Sequence, residues 1–68
     1  MYREVFPERM KHARKEIGLT QREVAKETGI PLSTIAKYET GRLEPDLEKL
    51  GILANYFCKP ADYFIGRA

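Results

Sequence analysis

Cysteine and histidine occur once each in this chain, as Cys58 and His12. A single thiol excludes an internal disulfide framework, and two isolated soft ligands exclude a metal cluster. No metal site and no cofactor are therefore expected. A lone cysteine also fits a reducing cytoplasm. Long apolar runs are missing as well. The longest, Leu50 to Cys58, contains Asn55 and falls far short of the about 20 residues a membrane-spanning helix requires. The opening Met1-Tyr2-Arg3-Glu4-Val5 has no apolar secretion core. The expectation is a soluble cytoplasmic protein without a membrane partner. Nor is there a nucleophile–base pair, metal-ligand spacing or phosphate loop. The sequence does not read as an enzyme, and no small-molecule ligand is evident.

Strand alternation, internal repeats and low-complexity tracts are also lacking. What is present is helix signal over 68 residues, read as a single domain, 1–68. A chain this short buries only roughly 60% of its unfolded surface, so compact helical packing is the economical solution. The formal net charge is only +2, but its distribution is uneven. From Arg9 to Arg42 eight basic residues stand against four acidic ones, whereas from Leu43 onward three face four. A basic N-terminal part beside a mildly acidic C-terminal part suits presentation of one end to a polyanion.

Phe6, Met10, Ala13 and Ile17 fall on one helical stripe. Pro7 suits a first turn and Gly18 a left-handed stop, which predicts a first helix over about 7–17. Thr20-Gln21-Arg22-Glu23 is a capping box, with Leu19 placed to staple on Val24. The second helix should cover about 21–28 and stop at Gly29. Pro31 opens a third over about 31–39, ended by Gly41. A fourth over about 46–57 presents Leu47, Leu50, Leu53, Ala54 and Phe57, and a short fifth over about 60–65 stops at Gly66. Arg67 and Ala68 read as a frayed end, His12 as solvent-facing, and Cys58 as a semi-buried helix-end residue. The fold class expected is all-α, with five helices.

The informative unit is Gln21 to Tyr38, QREVAKETGIPLSTIAKY. Two short helices joined by a tight turn must cross steeply, and the crossing restricts particular positions. A small residue is needed where they approach, and Ala25 is there. Positive φ is needed at the reversal, and Gly29 is there. Val24, Ile30, Ile35 and Tyr38 are placed to fill the angle between the helices.

With ARKEIGLTQREVAKETGI, STIAKYETGRLEPDLEKL and ANYFCKPADYFIG, the chain resembles the lambda-repressor-like, or Cro/CI-type (Xre), helix-turn-helix proteins from about Phe6 to Gly66. Departures are small. Cys58 stands where the family favours glycine or asparagine, Lys59 where an apolar residue is commoner, and Gly51 interrupts the fourth helix at about 1 kcal/mol.

The resemblance implies a compact five-helix fold whose third helix enters the DNA major groove. Its base-reading residues would be Leu32, Ser33 and Lys37, with Ala36 close by and Gln21 spanning backbone and base edge. Leu32 could pack on a thymine methyl, and Lys37 could donate to guanine. Thr20, Arg22, Thr34, Thr40 and Arg42 are the candidate phosphate contacts, helped by amides at the start of the second helix. The resemblance pairs Arg14 with Glu39 as a structural ion pair. It also suggests a homodimer on a palindromic operator, joined near Tyr56, Cys58, Lys59 and Tyr63. Tyr2 too could extend the core or meet a partner. The function so implied is a sequence-specific, double-stranded DNA-binding transcriptional regulator, a repressor of bacterial or phage origin. The alternative is an antitoxin-like protein-interaction module that binds DNA secondarily.

Overall fold

A computed structural model describes residues 2–66, with side chains from residue 5 onward. The expected frayed end at Arg67 and Ala68 lies outside the described residues, and the Tyr2 side chain lies outside them too. Five helices follow one another: α1 (Tyr2–Glu16), α2 (Gln21–Thr28), α3 (Leu32–Thr40), α4 (Leu47–Phe57) and α5 (Ala61–Ile65). There are no strands among the described residues, so the chain is the all-α, five-helix protein its periodicity announces.

The helices start and stop for identifiable reasons. At the end of α1 the amides of Gly18 and Leu19 bond back to the Lys15 and Arg14 carbonyls, at 3.0 and 3.2 Å, with Gly18 at φ +73°. This is the Schellman closure. Thr20 accepts from the Glu23 amide at 3.0 Å while the Glu23 carboxylate accepts from the Thr20 amide at 2.8 Å, so α2 opens on a complete capping box. Asp46 caps α4 by accepting from the Lys49 amide at 2.8 Å.

α1 lies against α3 and α5, and α2 against α3 and α4. Phe6, Met10 and Ala13 of α1 bury with Val24, Ile30, Ile35, Tyr38, Leu53, Phe57 and Phe64. Phe6 sits at the centre, edge-on to Tyr38 at 5.5 Å and tilted against Phe64 at 6.0 Å.

Several expectations need correction. α1 begins at Tyr2, with Pro7 inside it rather than in its first turn. A proline there forfeits one backbone hydrogen bond. The preceding turn is nevertheless held by packing: Phe6 is buried, and Val5 lies so close to α5 that a Cβ on Gly66 would come within 3.1 Å of it. α1 also stops one residue early, at Glu16, so Ile17 leaves the apolar stripe and is 52% exposed. Leu19 packs on the core from the turn instead. Leu47 is 88% exposed rather than part of the α4 face. It is the first residue of α4, and the burial is carried by Leu53 and Phe57 later in the helix. Pro31, Asp46 and Pro60 are N-caps of α3, α4 and α5 rather than helical residues, and α3 runs one residue further, to Thr40. Cys58 is exposed, not semi-buried. It closes α4 at φ +56°, and is the one described non-glycine residue with positive φ.

Candidate nucleic-acid interface

The α2–α3 unit is built around its turn. Val24 and Ile35 are completely buried where the helices cross, Ile30 and Tyr38 nearly so, and Ala25 packs partly buried beside them. Gly29 adopts φ +79° and donates its amide to the Ala25 carbonyl at 3.0 Å. Thr28 fixes the reversal from both sides. Its hydroxyl donates to the Val24 carbonyl at 2.7 Å and accepts from the Ile30 amide at 3.2 Å. Thr28 has no role among those the sequence pattern singles out. The available signal was a hydroxyl in the last turn of a helix just before a glycine, where local side-chain bonding to backbone is favoured.

α3 leaves one side uncovered. Ser33, Lys37 and Thr40 are exposed, with Leu32, Thr34 and Ala36 half-buried. Ala36, Lys37 and Thr40 join Arg42, in the loop that follows, around one shallow hollow. Thr40 points its hydroxyl hydrogen back at the Ala36 and Lys37 carbonyls, at 3.3 and 3.2 Å, so toward a phosphate it has only acceptor capacity left unless that contact opens. Thr20 is likewise engaged. Its oxygen accepts the capping bond, and its hydroxyl bonds the Glu23 carboxylate.

Charge on this side of the protein is partitioned by partner. Glu23 is engaged with Thr20, and that bonding holds its carboxyl below the ordinary value of 4.5. Glu27 accepts from the Tyr56 hydroxyl, which pushes the phenol up to about 12. Glu39 is the buried partner of Arg14, whose guanidinium is held above its ordinary value mainly by that hydrogen bond. The fork is two-pronged, with Arg14 Nε on Glu39 Oε2 at 2.7 Å and Nη2 on Oε1 at 2.9 Å, while Nη1 reaches the Leu19 carbonyl at 2.8 Å. All three acids between Gln21 and Arg42 are thus occupied within the protein. The four bases of the same stretch, Arg22, Lys26, Lys37 and Arg42, are exposed and make no ion pair among the described residues. Free positive charge beside an uncovered helix is the electrostatic footprint of a phosphate-binding face.

Gln21 is half-buried at the start of α2 and donates its side-chain amide to Glu39 Oε1 at 3.1 Å. It therefore lies against the end of α3 rather than projecting as an independent side chain. The C-terminal residues are engaged elsewhere. Lys59 Nζ lies 3.1 Å from Glu16 and 4.7 Å from the Tyr63 ring centre. Arg9 packs on the same ring and donates to the Tyr63 carbonyl at 2.6 Å. Tyr56, Lys59 and Tyr63 thus tie helices of this chain together, and Cys58 alone of the four is exposed. His12 is exposed, 3.9 Å from Glu16. Among the described residues no cluster of acidic, histidine and cysteine side chains could hold a metal ion, and no helix is long and apolar enough to cross a membrane.

A helix-turn-helix family model matches residues 10–64. The transcriptional regulator ImmR of Bacillus subtilis is 34% identical over 59 residues, which is 87% of this chain and 46% of that protein. The SPbeta prophage-derived regulator YonR of the same organism is 36% identical over 61 residues, 90% of this chain and 56% of its own length. YobD, a third regulator of the helix-turn-helix type from that bacterium, is 34% identical over 62 residues. This chain spans about half the length of these relatives. No solved structure matches it.

Proposed function

We propose, from the premise that this chain belongs to the helix-turn-helix family of the Cro/CI (Xre) type, that it is a sequence-specific double-stranded DNA-binding transcriptional regulator acting as a repressor. The observation that carries this reading is the partition of charge around α3, where Glu23, Glu27 and Glu39 each have an internal partner while Arg22, Lys26, Lys37 and Arg42 make no ion pair among the described residues. α3 enters the major groove. Ser33 and Lys37 meet base edges, while Leu32 and Ala36 pack on thymine methyl groups or the sugar edge. Arg22, Arg42 and the first amides of α2 hold phosphates, with Thr34 in a supporting position and Thr20 and Thr40 joining once their internal hydrogen bonds open.

One α3 covers only a few base pairs, so two copies bind a palindromic operator with their reading helices about 34 Å apart. Positive charge on the reading side and mixed charge on the α4–α5 side orient each copy toward the polyanion. The relatives are regulators of a bacterium, one of them prophage-derived, which agrees with a cytoplasmic protein of bacterial or phage origin.

The test is selection of bound sequences from a random duplex pool. Enrichment of a two-fold symmetric motif, with half-sites one helical turn apart, is the expected result. Recovery of unenriched DNA overturns the reading. A second reading, a protein-interaction module that binds DNA secondarily, is favoured by Leu43, 43% exposed, and Leu47, 88% exposed. Stoichiometric co-purification with an unrelated chain, which blocks duplex binding, would decide for it.

A further inference from the structure

We propose that Glu39 is a positioning residue that orients Gln21 to read an adenine. This inference rests on the DNA-binding reading above and deepens it. Three helices converge on one carboxylate. Glu39 of α3 has a side chain 2% exposed, Arg14 of α1 forks onto it with a side chain 12% exposed, and Gln21 of α2 donates to the same Oε1 that Arg14 Nη2 holds.

The chemistry of that contact decides which way the Gln21 amide faces. A carboxylate clasped by a guanidinium has only lone pairs to offer, so it accepts and never donates. The end of the Gln21 amide turned toward Glu39 must therefore be the nitrogen. An unconstrained glutamine turns either end outward, whereas this one keeps its carbonyl oxygen and its second N–H available as an adjacent acceptor and donor. Adenine presents the complementary N6 donor and N7 acceptor in the major groove. Guanine presents only acceptors there, thymine one acceptor and cytosine one donor, so each leaves either the carbonyl or the N–H unpaired where adenine satisfies both. The backbone end of Gln21 is fixed as well, because Thr20 and Glu23 complete their capping box around it. A side chain held at both ends loses little freedom on binding. The Arg14–Glu39 pair thus does more than join α1 to α3, since it sets the hydrogen-bonding polarity of a residue on the reading side.

The experiment compares the wild-type chain with Gln21→Ala, Glu39→Gln, the double variant and Arg14→Lys on duplexes varied one base pair at a time. Glu39→Gln replaces an obligate acceptor by an amide that can also donate, and so releases the polarity of Gln21. Gln21→Ala is expected to lose roughly tenfold discrimination for adenine at one position. Glu39→Gln should lose a similar factor at the same position, and the double variant no more. Arg14→Lys should melt earlier yet keep the discrimination, because the acceptor remains.

Glu39→Gln that discriminates like the wild type, or that weakens all duplexes alike, overturns the inference. So does a uniform loss with Gln21→Ala, which would make that residue a phosphate contact. Should Glu39→Gln fail to fold, nitrogen-edited NMR of the wild type still decides. Gln21 is the one glutamine in the chain, and one of its side-chain amide protons should exchange with solvent more slowly than a free amide. Free-amide exchange of both protons overturns the inference. A wild-type chain that enriches no sequence overturns the regulator reading along with it, whereas specific wild-type binding with an indifferent Glu39→Gln overturns the inference alone.

Discussion

Single residues carry unequal loads in so small a protein, and the two most consequential lie at opposite extremes of exposure. Glu39 is nearly inaccessible and spends both oxygens on Arg14, with Gln21 as a second partner. Removing one member of a buried pair leaves the other desolvated and uncompensated. Glu39→Ala should therefore cost about 3 kcal/mol, read as a lower urea midpoint, while Glu48→Ala, at a carboxylate 80% exposed, should move the midpoint little. Cys58 is the opposite case, exposed and strained. At φ +56° and ψ +41° a Cβ-bearing residue pays for left-handed backbone that glycine adopts freely. Cys58→Gly should raise stability by about 0.5–1 kcal/mol, the relief of strain being partly offset by glycine's greater freedom when unfolded. An unchanged or lower midpoint would contradict that account.

At the scale of the element, α4 contains an uncompensated weakness. Gly51 lies inside the helix, and a Cβ placed there would meet nothing within 4 Å. No close approach requires it, so Gly51→Ala should stabilise by about 1 kcal/mol, visible as a higher melting temperature. α2 depends instead on its cap. The Glu23 carboxyl has a lowered folded pKa because the Thr20 amide and hydroxyl bond to its charged form. Such a group stabilises the fold above its unfolded value of 4.5, and the contribution is lost as pH falls through the lowered folded value. Thermal melts of the wild type should therefore weaken on acidification below about pH 4.5 more steeply than those of Glu23→Gln. Parallel curves for the two proteins would rule out the carboxylate as the source.

The molecule as a whole acts through the field its helices present. Net charge is only +2, yet the bases that make no ion pair among the described residues gather on α2, α3 and at Arg42, while Glu23, Glu27 and Glu39 are engaged internally. Two substitutions separate positioning from reading. Arg42→Ala should weaken binding to every duplex by a similar factor and reduce the salt slope by about one unit. Lys37→Ala should relax discrimination at a single base position by about 1–3 kcal/mol. Binding titrations over a range of salt, on matched and mismatched duplexes, distinguish the two patterns.

Much of this protein follows from local rules written in the sequence. The number and order of the helices come from caps and stop signals that act within a few residues: the Thr20–Glu23 box, and glycines at positions 18, 29, 41 and 66. The family resemblance likewise rests on the spacing within Gln21 to Tyr38, since a steep crossing needs small, flexible and apolar residues at set offsets. What tertiary structure decided are the features that need two distant segments to meet. α1 runs through Pro7 because Phe6 and Val5 pack against later helices. Leu47 and Ile17 are left outside although their periodicity favoured burial, because burial depends on a facing element and periodicity records only a phase. The engagement of each acid near α3 and the fixed polarity of Gln21 are likewise invisible along the chain, since hydrogen bonds between helices are set by distance in space rather than separation in sequence.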